Sequence, residues 1–204
     1  MVRRRYQLNR FSSSLTDVPT TPRFRQGAGR PCLDFVRTLR RRGTADAAEE
    51  LPDAESLAAW IRQCAPCPAG TGDADAVLVR TAQELREAIH HLIGAARAGR
   101  APDARARERV NRAAAHAVPV PSLGPSGRLE WQADDPVRAT LALVARDALD
   151  LITSPALDRV RDCSGPTCGA LFLDTSRPGT RRWCSMDTCG NRAKKEALRR
   201  RATA

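Results

Sequence analysis

Aromatic side chains are scarce in this chain: one Tyr, three Trp and four Phe make up 4% of its 204 residues. That disfavours an aromatic-rich sheet core, while plentiful Ala, Leu and Val favour packed helices. No run approaches the roughly 18 consecutive apolar residues of a membrane span. Arg3, Arg4 and Arg5 are followed by Ser, Thr and Pro instead of an apolar core, so no signal peptide is read there and a reducing cytoplasm is expected. The sequence also lacks a nucleophile elbow, a glycine-rich phosphate loop and paired catalytic carboxylates, so no enzyme is expected. Histidines number three. His90 and His91 are helix neighbours pointing about 100° apart, poor geometry for a shared metal.

What is present is positive charge, unevenly placed. The formal net charge is +11. Residues 1–30 contribute +6, residues 31–158 contribute −2 and residues 159–204 contribute +7. A basic end beside a slightly acidic middle is the distribution of a polyanion-binding tail, or of a merely solubilising surface.

The length suits one ordinary domain plus a small one. Residues 1–27 mix Arg with Ser, Thr, Pro and Gly without hydrophobic period and read as a basic flexible arm. Residues 28–157 read as a mainly helical domain. Its first element starts at Pro31, where Leu33, Val36 and Leu39 recur at helical spacing, although Cys32, Leu33, Phe35 and Val36 also suit a short strand. Asp53 caps a helix through Gln63 carrying Leu57, Trp60 and Ile61. Leu78, Leu85 and Leu92 repeat every seven residues in a long helix from Asp73 to Ala98, stopped by Gly99. Asp103 to His116 forms another, with a thin apolar face. Val118 to Trp131 reads as a β-hairpin whose prolines confine its first strand to an edge. Asp135 before Pro136 starts the last long helix, and Ser154-Pro155 a short one that leads into Cys163.

Residues 158–204 carry Cys163, Cys168, Cys184 and Cys189. Two Cys-x4-Cys pairs fifteen residues apart suit one tetrahedral zinc with four thiolate ligands. Four thiolates leave no open position for water, so the metal is expected to be structural, the staple that lets so small a segment fold. Ala170–Asp174 and Arg181–Cys184 read as two hairpin strands turned at Ser176–Gly179. Cys189 then opens a helix with Ala193 and Ala197 facing the hairpin and Arg192, Lys195 and Arg199 within about 60° of one another on the other side. Arg181, Arg182, Lys194 and Arg200 extend this candidate nucleic-acid-binding set. The Cys64-x2-Cys67 pair follows a helix instead of opening one and reads as ordinary loop thiols.

At Trp183-Cys184-Ser185-Met186 and Cys189-Gly190-Asn191-Arg192-Ala193-Lys194 the chain closely resembles the CGNR zinc finger, and Cys163, Cys168 and Leu171–Ser176 match its pattern. Cys32–Val36, Leu57–Trp60, Leu85-Arg86 and Leu129–Trp131 resemble the ABATE domain that usually precedes this finger. One departure is Arg37, where the family pattern usually has Asn. Asp34, Arg37 and Trp60 are the candidate lining of a ligand pocket.

The resulting expectation is an α+β protein, with a mainly helical N-terminal domain bearing a small β-hairpin and a C-terminal treble-clef-like four-cysteine finger. The resemblance implies a bacterial-type transcription regulator: the finger contacts DNA, and the N-terminal domain senses a small-molecule signal or forms a homodimer. The competing expectation is a protein-interaction or small-ligand module with a purely structural zinc.

Overall fold

The computed structural model describes residues 24–65 and 74–202. Most of the expected basic arm, Cys67 and Asp73 lie outside the described residues.

Aspartates start four of the helices. Asp53, Asp75, Asp103 and Asp135 each accept a hydrogen bond from the amide three residues on, at 2.7–2.9 Å, ahead of α2 (Ala54–Cys64), α3 (Ala76–Arg97), α4 (Ala104–Ala114) and α5 (Pro136–Thr153). Each carboxylate satisfies an amide that the first turn leaves without a partner. Gly99, at φ +63°, ends α3, and Arg100 N–H returns to Ala95 O at 2.9 Å. A left-handed residue is needed there, which glycine adopts without a Cβ penalty.

The short α1 (Pro31–Val36) buries Cys32, Leu33, Phe35 and Val36 against α3 and α5. It is held in place by Asp147 of α5, which accepts from Cys32 N–H and from Arg30 Nε, both at 2.8 Å. Two-residue strands β1 (Leu39–Arg40) and β2 (Ala48–Glu49) pair antiparallel after it. The expected hairpin is present as β3 (Val120–Leu123) and β4 (Leu129–Gln132), with Pro121 opposite Trp131.

Arg86, 2% exposed on α3, is the notable charge in this core. Its guanidinium meets Glu49 through two 2.6 Å bonds, and it also reaches Glu87 and the Thr38 hydroxyl. Arg42 pairs with the same Glu87. Burial would raise the Glu49 and Glu87 carboxyls, but the guanidiniums of Arg86, and of Arg42 at Glu87, hold both below their ordinary value.

The 3-10 turn Pro155–Arg159 leads into β5 (Val160–Asp162), which pairs antiparallel with β6 (Leu171–Leu173). This corrects the expected hairpin. The ladder flanks the first cysteine pair and does not lie between the two pairs. Its cause is local: the Asp174 carboxylate accepts from Ser176 N–H, Ser176 Oγ and Arg181 N–H, tying 174–181 into a closed turn. Arg181 then donates to the carbonyls of Trp183 and Cys184 and removes them from any ladder. Met186–Gly190 forms one π-helical turn, followed by α6 (Asn191–Ala202). The packing of α6 also differs from expectation, because Ala197 is exposed and none of the residues of α6 is buried.

One apolar core runs through both parts of the chain. Val160, Leu171, Phe172 and Leu173 are buried in the same cluster as α1, α3 and α5. Leu173 N–H donates to Ala28 O at 2.7 Å, so the lead-in to α1 is tied to the edge of the finger's strand β6. Gly29 allows that approach: at φ +92°, a Cβ there would lie 2.9 Å from Leu173 Cβ. Among the described residues, no helix is long and apolar enough to cross a membrane.

Candidate metal centre

The β5–β6 ladder brings the first two cysteines together. Cys163 N–H donates to Ala170 O at 2.9 Å, closing the loop that carries Cys163 and Cys168 at the hairpin tip. Gly165 sits beneath it, where a Cβ would stand 3.1 Å from Cys168 Cβ and 3.5–3.6 Å from two of the sulfurs. Ser164 N–H to Arg182 O at 2.8 Å and Cys184 N–H to Cys163 Sγ at 3.3 Å dock the second pair. Cys189 is placed by the π-helical turn at the head of α6.

The four sulfurs lie within 4.8 Å of one another, with Cys168–Cys184 at 3.6 Å and Cys184–Cys189 at 3.7 Å. Four sulfurs at about 2.3 Å from a tetrahedral zinc stand about 3.8 Å apart, so the constellation fits that ion. Their protons are also in conflict. Cys163 is pushed down because the Cys168 and Cys184 thiols hydrogen-bond to it, and Cys184 is pushed up by its hydrogen bonds with Cys163 and Cys168. Burial and then Cys168 push Cys189 up to about 11. Sulfurs this close cannot all ionise alone, and a divalent cation resolves the conflict by displacing the protons. With all four positions filled by thiolate, the zinc stabilises the fold and presents no coordination site to a substrate.

Of the other expected site residues, Asp34 and Arg37 meet at 3.4 Å, while Trp60 is packed into the core. Asp34 accepts from Ala28 N–H at 2.9 Å and Gly27 N–H at 3.2 Å, so it is a turn anchor for the segment leading into α1. Burial raises its carboxyl, opposed by those amides and by Arg37. Trp60 is 2% exposed and packs on Phe35 with ring centroids 5.0 Å apart, and so belongs to the core. Arg37, 6% exposed, reaches the finger, with Nη2 3.9 Å from Cys184 Sγ. Arg37 lines a cleft beside the metal centre, and Asp34 and Trp60 are not among the residues lining it.

Of the expected basic set, Arg182, Arg192, Lys194, Lys195, Arg199 and Arg200 are exposed. Arg181 is not presented with them. It lies over the Phe172 ring at 4.7 Å and donates to three backbone carbonyls, of Gly27, Trp183 and Cys184. Sequence reasoning missed Arg25, Arg40 and Arg41, which line a cleft beside the metal centre. Nothing in their local periodicity signals this, because the cleft exists only once the finger has docked.

A helical domain sharing its core with a closed four-thiolate site, from which a basic helix projects, defines a two-part zinc-finger protein. The chain belongs to the ABATE family: residues 29–155 match the family model described as "putative stress-induced transcription regulator". Residues 159–202 match the CGNR zinc finger. No curated protein matches the chain.

Proposed function

We propose that this zinc-binding protein is a cytoplasmic, bacterial-type transcription regulator that binds DNA through α6 and is not an enzyme. One observation carries the reading: Arg192, Lys194, Lys195, Arg199 and Arg200 are exposed on a helix with no buried residue, whose head is fixed by the metal centre. A helix with no fully buried residue contributes little to the fold, whereas rows of cations at helical spacing suit the phosphates along a duplex. The zinc's part is to hold the thiolates together and so aim α6; contact with DNA falls to the cations. The first ligand pair at a hairpin tip and the last ligand at a helix head also suit a treble clef. The N-terminal domain, in this reading, senses a signal or pairs two chains.

Salt-dependent binding to duplex DNA tests this. Replacing Arg192, Lys195 and Arg199 together with Ala is expected to reduce the slope of log affinity against log salt by about 2 to 3, since each phosphate contact contributes about 0.9. Binding that is absent, or indifferent to salt and to the triple change, overturns the DNA reading and leaves a protein-interaction or small-ligand module.

A further inference from the structure

A cleft of about 170 Å³ separates the N-terminal part from the finger. Arg25, Arg37, Arg40, Arg41 and Arg192 line it together with the ligands Cys168 and Cys189. Arg40 pairs with Glu50 at 3.0 Å, Arg41 with Asp46 at 3.5 Å and Arg37 with Asp34 at 3.4 Å. Arg25 and Arg192 have no carboxylate partner among the described residues. Two positive charges are thus unmatched around a centre that, as four thiolates on Zn2+, carries a net charge of about −2. With the metal bound, the charge of the centre and those of these two arginines offset one another.

The contacts agree with that accounting. Arg37 Nη2 reaches Cys184 Sγ at 3.9 Å from inside the protein, while its other amino group meets Asp34 and Gln26 O. Arg25 is lowered by burial and by the nearby Arg40 and Arg37, whereas Cys189 and Cys184 draw it the other way. Crowded, half-buried guanidiniums repel one another unless an anion stands among them.

We propose that Arg37 and Arg25 are outer partners of the zinc centre: the N-terminal part supplies counter-charge to the tetrathiolate, so the finger's hold on zinc depends on the domain before it. This extends the role of the cleft beyond packing, and it stands independently of whether α6 binds DNA. The zinc ligands remain the four cysteines; the two arginines act through Cys184 and Cys189 as positioning and charge-balancing residues. Loss of such outer partners typically weakens metal binding by about 10 to 100-fold.

The test is zinc affinity of the full-length, zinc-loaded protein by competition with a chromophoric chelator, with zinc alone as the probe. R37M, which keeps the bulk of the stem but not the charge, is expected to weaken zinc binding about 10-fold. R37K, which restores a cation but not the guanidinium fork, should recover most of that loss, which a purely packing role would not produce. R25Q is expected to weaken binding at least about 3-fold, below the range for a directly bonded partner. R112Q, an equal change of net charge at the exposed Arg112 of α4, should leave it unchanged. Wild-type affinity in both R37M and R25Q, or a loss in R37K as large as in R37M, overturns the proposal. If R37M does not fold, R25Q decides alone, by the same threshold.

Discussion

The two parts of this molecule contain charge in opposite ways. In the helical part the buried cation Arg86 is answered by carboxylates, Glu49 at 2.6 Å and Glu87 at 2.9 Å, and the apolar faces of α1, α3 and α5 do the remaining work. In the finger four sulfurs are packed within 4.8 Å with strand support of only three residues on each side, and the neighbouring charges are arginines. The first arrangement is complete as a polypeptide. The second is complete only with a cation, because its ligands repel one another when ionised. Sharing one core therefore does not mean sharing one source of stability.

Metal removal separates the two most sharply. A structural zinc contributes about 10–16 kcal/mol of apparent binding free energy at neutral pH, more than residues 171–173 supply together by burial at roughly 1.5–3 kcal/mol each. Treatment with a strong chelator is expected to release one zinc per chain and unravel the finger, while α2 to α5 keep their far-ultraviolet circular dichroism. Amide exchange resolved by segment reads the difference. Loss of protection across α3 and α5 as complete as that across 160–190 would show that both parts depend on the metal.

Arg86 is the corresponding weak point of the helical part. Arg86→Ala leaves Glu49 and the Thr38 hydroxyl without their cation and opens space in the core, and is expected to cost about 3 kcal/mol in urea unfolding. Zinc content should stay at one per chain, since Arg86 touches no residue of the metal centre. The ion pair has a pH signature too. Glu49 and Glu87 are held below their ordinary value of 4.5, so their stabilisation is present above that pH and is lost as pH falls through the folded values.

The seam between the parts gives a smaller effect. Gly29→Ala places a side chain at φ +92° and 2.9 Å from Leu173 Cβ, and is expected to cost about 2 kcal/mol and to speed proteolysis between residues 24 and 30. Gly27→Ala, also at positive φ but with open space around it, separates backbone strain from the clash. Equal losses in the two variants would mean that the Leu173 contact matters little.

These contrasts follow how much could be read from the chain. Two of the four aspartate caps, Asp53 and Asp135, were legible, as was the α3 repeat, because capping and amphipathic spacing act within a few residues. The cap of α3 is Asp75, two residues beyond the expected start. The four-cysteine set was legible because ligand spacing is also local. The position of the finger's ladder was not, since it depends on the Asp174 and Arg181 side chains competing for backbone groups that a strand would otherwise use. Trp60 and Asp34 show a second limit: an aromatic and an acid expected to share a pocket became a core ring and a turn anchor. The cleft shows a third, because Arg37 meets Cys184 across 147 residues and no period announces it.

The mildest expected difference concerns His90, on α3 where the two parts meet. Burial, and then the charge of Arg42, push its imidazole down to about 4, with Glu87 and Asp162 pulling upward and His91 adding to the downward push. A base with a lowered folded value leaves stability intact above its unfolded value of 6.5, where both states are neutral. As pH falls from there toward 4, the unfolded chain takes up the proton first and the folded state loses ground; below about 4 the loss stops growing. Partial exposure of the ring screens the effect, so about 1–2 kcal/mol is expected across that window. His90→Gln removes this slope without removing the carboxylates, so the wild-type-minus-variant stability between pH 7 and pH 4 isolates it. A parallel pair of curves would show that His90 protonates freely in the folded protein, and hence that the seam beside Arg42 is wetter than its burial implies.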